Sequence, residues 1–270
     1  MPLDDLRFTP ALMTRPPPRG LAAETSLRHF SIVTFCVDPD RLRAHLHARF
    51  EPDIIPDTQG RGRALVSVVT FLDEDFRFVA CPWPRNTFGQ TNYRSYVTDT
   101  ATGEHVAWFF GTCLDSLSVV IPRYLWRIPW HRARMTFDCR YNGAAARYET
   151  IKVRTSSKWA PARLELEDLG RPPRDIAGFS NREAGLVLLT QPTRGFFFRR
   201  DGALGSYSIW HDRMAPNDGV ATVAEFPLLD RLGLVAEGDL EPVHSVLIQP
   251  RVDFTIYLPP VRTRPATIGA

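Results

Sequence analysis

Asn92, Arg94 and Tyr96 alternate along one short run of the chain, NYRSYVTD, and their types and spacing are the first hint of chemistry. In an extended strand every second side chain points the same way, about 7 Å from the last. An amide, a guanidinium and a phenol are thereby aimed into one space. Such a set suits a carboxylate or an enolate, held by the cation and by two neutral hydrogen-bond donors. The other face of the run carries Tyr93, Ser95 and Val97 and is nearly as apolar, so the residues alone leave open which face is core.

Acid–base work near neutral pH is best done by imidazole. His131, His211 and His244 each stand at the start or end of a strand-like run. His211 precedes Asp212 and His244 follows Glu241 by three residues, neighbours that can orient a ring. These three are the candidate catalytic residues. Trp108 and Trp130 belong to a large aromatic complement and are candidates to line an apolar pocket with Asn92, Arg94 and Tyr96. The four cysteines form no CxxC pair and the histidines show no ligand spacing, so neither a metal nor a cofactor is expected. No glycine-rich phosphate loop, nucleophile elbow or HExxH motif is present, which argues against nucleotide-dependent and standard hydrolytic activities.

The elements that must position these residues are mostly strands. Period-2 or continuously apolar runs occur at His29–Val37, Arg63–Leu72, Asn92–Asp99, Glu104–Cys113, through residues 132–167, and at Gly195–Arg200, Gly205–His211, His244–Gln249 and Val252–Leu258. Asp201-Gly202 is a favoured hairpin dipeptide. Asp38 with Pro39 starts a helix, and Asn181 caps another. Leu114, Leu117, Val120, Ile121 and Tyr124 follow helical spacing and predict a helix packed across a barrel end or sheet face. Nine to eleven short strands with few helices predict a mainly β (α+β) fold, an antiparallel β-barrel or sandwich with peripheral helices. Residues 1–25 are proline-rich and read as a flexible arm, 26–260 as a single domain, and 261–270 as a flexible tail.

Composition narrows the partners. The chain of 270 residues is 44% hydrophobic and 23% charged, as globular proteins are, with a net charge of only +3 and scattered basic residues. A nucleic-acid partner is therefore not expected. The N-terminal stretch lacks an apolar signal core, no run is long enough to span a bilayer, and the cysteines fit reduced thiols, so a cytoplasmic protein without a membrane partner is expected.

VDPDRLRAHL, RALVSVVTF, NYRSYV, VAWFFGTCLDS, IPWHRARM, FFFRRDGALGSYSIWH and EPVHSVLIQPRVDFTIYLP occur in this order over roughly residues 29–260. In these stretches the chain resembles the YqjF-like family of uncharacterised bacterial proteins, a domain of unknown function in the acetoacetate decarboxylase-like superfamily. The resemblance implies a β-barrel or cone around a closed cavity in which the Asn92–Tyr96 strand takes part, and a small-molecule ligand. It allows a homo-oligomer, which nothing in the residues specifies. The decarboxylases carry a lysine pair, the first forming a Schiff base and the second depressing its pKa. The matching stretch here is Ile128-Pro129-Trp130-His131-Arg132-Ala133, with Trp130 and His131 in place of the two lysines. Neither can form an imine. Lys152 and Lys158 are the only lysines, and both are expected to face water. The resulting expectation is processing of an organic acid or polyketide-like molecule by acid–base chemistry without an imine. The alternative is a binding or sensing module on the same barrel.

Overall fold

The computed structural model describes residues 2–235 and 243–262. Along the chain run α1 (Pro10–Met13), β1 (Ala23–Val37), α2 (Pro39–Arg43), β2 (Phe50–Pro52), β3 (Ile54–Pro56), β4 (Gly62–Phe78), β5 (Cys81–Asp99), β6 (Glu104–Leu114), α3 (Val120–Leu125), β7 (Trp130–Arg132), β8 (Arg134–Asn142), β9 (Arg147–Ser156), β10 (Ala162–Asp168), α4 (Arg182–Thr190), β11 (Arg194–Phe198), β12 (Leu204–His211), β13 (Asn217–Glu225), α5 (Pro227–Arg231) and β14 (Ser245–Arg262). Among the described residues no helix is long and apolar enough to cross a membrane.

Seven strands close a barrel in the order β1-β4-β5-β6-β11-β12-β14, and β14 pairs back onto β1. All these pairings are antiparallel except β6 with β11, which run parallel. A second sheet, β13-β10-β9-β8, is joined to the barrel through β13 and β14. It covers the outer face of β1, β4 and β5, where Val33, Val66, Val68 and Tyr93 pack with Ile151, Val153 and Leu164.

This second layer explains why both faces of the Asn92–Tyr96 run read as core. Tyr93 and Val97 point outward into packed clusters, whereas Asn92, Arg94 and Tyr96 share the inward face, and all five are buried. A strand covered on both sides needs apolar or satisfied residues at every position, and period-2 alternation is lost.

Three expected elements come out differently. The strand expected at Asn92–Asp99 begins already at Cys81, extending the β4–β5 hairpin beyond the barrel wall. Pro82 and Pro84 fall in its irregular part, between the pairs Phe78↔Cys81 and Phe76↔Asn86, where a missing N–H breaks no regular ladder. The Leu114–Tyr124 pattern forms only a 3-10 turn and the six-residue α3, and Leu117, Val120 and Tyr124 face solvent instead of packing. Residues 2–22, expected as a loose arm, run along the barrel: Leu6 is buried among α4 side chains, Asp4 Oδ1 accepts from the Ser180 N–H (3.2 Å), and Trp210 Nε1 donates to the Met13 carbonyl (3.3 Å). The tail from residue 263 and Glu241, expected beside His244, lie outside the described residues.

Candidate functional site

The inward faces of the barrel strands enclose a cavity of about 150 Å³. Its walls are mostly apolar: Leu27 and Phe30 from β1, Val69 and Phe71 from β4, Ala107 and Phe109 from β6, Ile209 from β12, and Phe254, Ile256 and Leu258 from β14. Gly195 on β11 leaves room for the Phe109 ring, which any side chain at that position would strike. Trp126 and Trp130 close one side near Ser118 and Pro122.

Polar groups enter this wall chiefly from β5, as Asn86, Gln90, Asn92 and Arg94. The Asn92 carbonyl oxygen accepts from Gln90 Nε2 (2.9 Å) and from the Thr112 hydroxyl (2.8 Å), which leaves the Asn92 amide N–H groups as donors toward the cavity. Arg94 is only 6% exposed. Its Nη2 donates to the Leu189 carbonyl at the C-terminal end of α4 (2.6 Å) and lies 3.4 Å from the Tyr96 hydroxyl, and the guanidinium sits over the Tyr96 ring. A cation at a helix C-terminus is favourable, but that half-charge is no carboxylate. Arg94 Nε has no hydrogen-bond partner, and among the described residues no acid forms an ion pair with it. The second cation in the wall, Arg194, is matched by Glu104 at 2.7 Å. Tyr207 adds a hydroxyl that makes no hydrogen bond among the described residues. Burial raises its pKa, opposed only by the Arg94 charge.

Of the other expected site residues, Trp130 lines the cavity, but Tyr96 and Trp108 do not. Tyr96 is tied into the barrel end, its hydroxyl 2.8 Å from Ser67 Oγ and 3.3 Å from the Leu189 carbonyl. Trp108 points outward into a cluster with Phe50, Phe196 and Phe198. Strand alternation is the reason: Ala107 and Phe109 take the inward positions, so Trp108 between them cannot.

The three histidines neither converge nor line the cavity. His131 alternates with Trp130 on β7 and stacks on Trp159 at 4.1 Å, outside the barrel; burial, then the charges of Arg123 and Arg200, push its pKa down to about 4. His211 is buried behind the wall, with Nδ1 2.7 Å from the Asp212 carbonyl and Nε2 2.9 Å from the Thr190 carbonyl. Burial lowers its pKa although both carbonyls favour the charged ring. His244 meets the Ala177 carbonyl (2.9 Å) and Ser245 Oγ (3.1 Å). Among the described residues no group of three or more His, Cys, Asp or Glu side chains could hold a metal.

The titratable group that does line the cavity is Asp73, on the same face of β4 as Val69 and Phe71. It is 1% exposed; Oδ1 accepts from the Thr25 hydroxyl (3.1 Å) and Oδ2 has no partner. Burial raises its pKa to about 7. Sequence reasoning ended this strand at Leu72 and so missed the one acid that continues its inward alternation.

Among the described residues no amine lines the cavity. Lys152 pairs with Glu165 on the second sheet (3.2 Å, 56% exposed) and Lys158 is exposed. A Lys152→Arg, Lys158→Arg double variant is expected to bind ligand as wild type does and to lose under 1 kcal/mol of stability, measured by ligand titration and thermal unfolding. A lost ligand would reveal a role for an amine.

The architecture is shared with solved structures. The chain is similar to acetoacetate decarboxylase from Legionella pneumophila (TM-score 0.56, 15% identity, covering 94% of each chain). It is similar to an acetoacetate decarboxylase-like enzyme from Sphingomonas wittichii (TM-score 0.59, 14% identity, 91% of this chain and 95% of that one). It is also similar to MppR, an enduracididine biosynthesis enzyme complexed with pyruvate (TM-score 0.54, 14% identity, 93% and 91%). No curated protein matches the sequence. At family level the match is direct: residues 24–253 fit the model of DUF2071, an uncharacterized conserved protein, and the chain belongs to that family.

Proposed function

We propose that the barrel cavity binds a small organic acid through Arg94 and processes it by acid–base chemistry without an imine. The carrying observation is a buried guanidinium in a mostly apolar cavity, with no acid paired to it among the described residues. A buried cation without a counter-ion is costly. The donors around the cavity, from Arg94, Asn92 and Tyr207, all suit an anion. Asp73, protonated up to about neutral pH, takes the proton-moving role first assigned to the histidines. That the fold neighbours include decarboxylase-type enzymes and a protein complexed with pyruvate supports the same class of ligand. Absence of histidine from the cavity favours the second reading, a module that binds such an acid without converting it.

Native mass spectrometry of the purified protein, with and without added short-chain carboxylates, tests the proposal. Wild type is expected to carry an anionic ligand that Arg94→Ala loses or holds roughly 10- to 100-fold more weakly, the range of a charge-assisted hydrogen bond. Because Arg94 also meets the end of α4, Arg94→Lys serves as the control that keeps the charge. Unchanged ligand in a folded Arg94→Ala variant would overturn the assignment.

A further inference from the structure

The cavity has a direction. Its Arg94 end is bordered by buried Thr190 and Pro192 at the foot of α4, with the half-exposed Arg194–Glu104 pair at its edge. At its other end Asn86 and Ser118 are exposed and Phe76 and Trp126 are half-buried, which makes that end the mouth. Arg94 and Asn86 are eight residues apart on one strand, about 27 Å of strand. At the usual ~40° tilt of barrel strands this is roughly 20 Å of axis. Along that length the wall is mostly apolar, from Leu27, Phe30 and Val69 to Phe88 and Leu114.

The surface beside the mouth is unusual too. The segment that contributes Ser118, Pro122 and Trp126 to the wall holds Leu117, Tyr124 and Leu125 out to solvent, at 67%, 63% and 68% exposure. Exposed clusters of large apolar side chains mark places where apolar matter is handled. The channel thus has a buried cation toward one end, apolar and aromatic walls between, and an apolar lip.

We infer that the ligand is an amphipathic carboxylate, its head at Arg94 and its apolar tail running out between the aromatic walls to the mouth. This rests on the anion reading of Arg94 and adds the tail. An extended chain advances about 1.2 Å per bond, so roughly sixteen bonds span the channel. Acids of two to four carbons would leave most of it empty.

Binding of straight-chain carboxylates from acetate to octadecanoate, below their micelle concentrations, is measured by calorimetry and by the fluorescence of the channel tryptophans. Decanol is the comparator. Affinity is expected to rise about three- to fourfold per added methylene and to level off near sixteen carbons. Ile256→Trp, which narrows the channel, is expected to shorten the preferred chain. Acetate binding as tightly as decanoate, both weakened by Arg94→Ala, would overturn the tail while leaving the anion site intact. Decanol matching decanoate, with Arg94→Ala neutral, would overturn the anion reading and with it the head-in orientation.

Discussion

Asp73→Asn is expected to remove a pH-dependent loss of stability worth about 4 kcal/mol. In the folded protein burial keeps the Asp73 proton up to about pH 7, against an ordinary value of 3.8. The unfolded chain therefore releases its proton first. The favourable contribution is complete below pH 3.8, declines as pH rises through the interval, and is gone above about pH 7. A gap of about three pKa units corresponds to roughly 4 kcal/mol, or on the order of 10 °C in Tm for a domain of this size. Asparagine keeps an acceptor for the Thr25 hydroxyl and cannot ionise, so the wild-type-minus-variant difference should open between pH 4 and 7 and stay level above. Taking the difference removes the opposing slopes of carboxylates such as Asp99 and Glu74, whose pKa values are held low. Thermal unfolding across pH 4–8 checks this. Parallel wild-type and variant profiles would mean that Asp73 is ionised and matched at neutral pH, and it could not then serve as the cavity acid.

Trp108→Ala should cost about 3–5 kcal/mol of stability and leave ligand affinity in the folded fraction unchanged. Trp108 is 1% exposed, with ring centroids 5.3 Å from Phe50 and 4.9 Å from Phe198, on the far side of β6 from the cavity. Truncation would open a hole in a packed cluster that holds β2 to the outer face of β5, β6 and β11. Denaturant unfolding with ligand titration on the same samples separates the outcomes. A variant of normal stability that no longer binds ligand would return Trp108 to the site.

The two residues just considered show where sequence reading succeeds and fails. Alternation within a single strand is local, and it grouped Asn92 with Arg94 and Tyr96 on one face, as the strand geometry requires. The same rule, applied to EHVAWFFGTC with known barrel sides, would have excluded Trp108; what was missing was which parity is inward. Asp73 was lost because β4 runs six residues past Leu72, carried by pairing with β1 and β5 and not by the propensities of Asp73, Glu74 and Asp75. The Leu114–Tyr124 spacing was truly helical, yet spacing does not say that anything lies opposite the apolar face. The histidines were chosen for their pKa range, a property of the free side chain. Burial moves all three downward and strand direction turns them from the cavity.

By itself the sequence determined the mainly β class, the barrel resemblance and the lack of an imine-forming lysine at Trp130, because these depend on residue types and short-range order. Only the tertiary structure decided which faces line the cavity, that Arg94 is buried there with no acid paired to it among the described residues, and that Asp73 rather than a histidine is the acid in the cavity wall. Those are properties of contacts between strands distant in the chain: barrel closure sets the inward parity, and the second sheet hides the outward one, so that no single strand carries the signal.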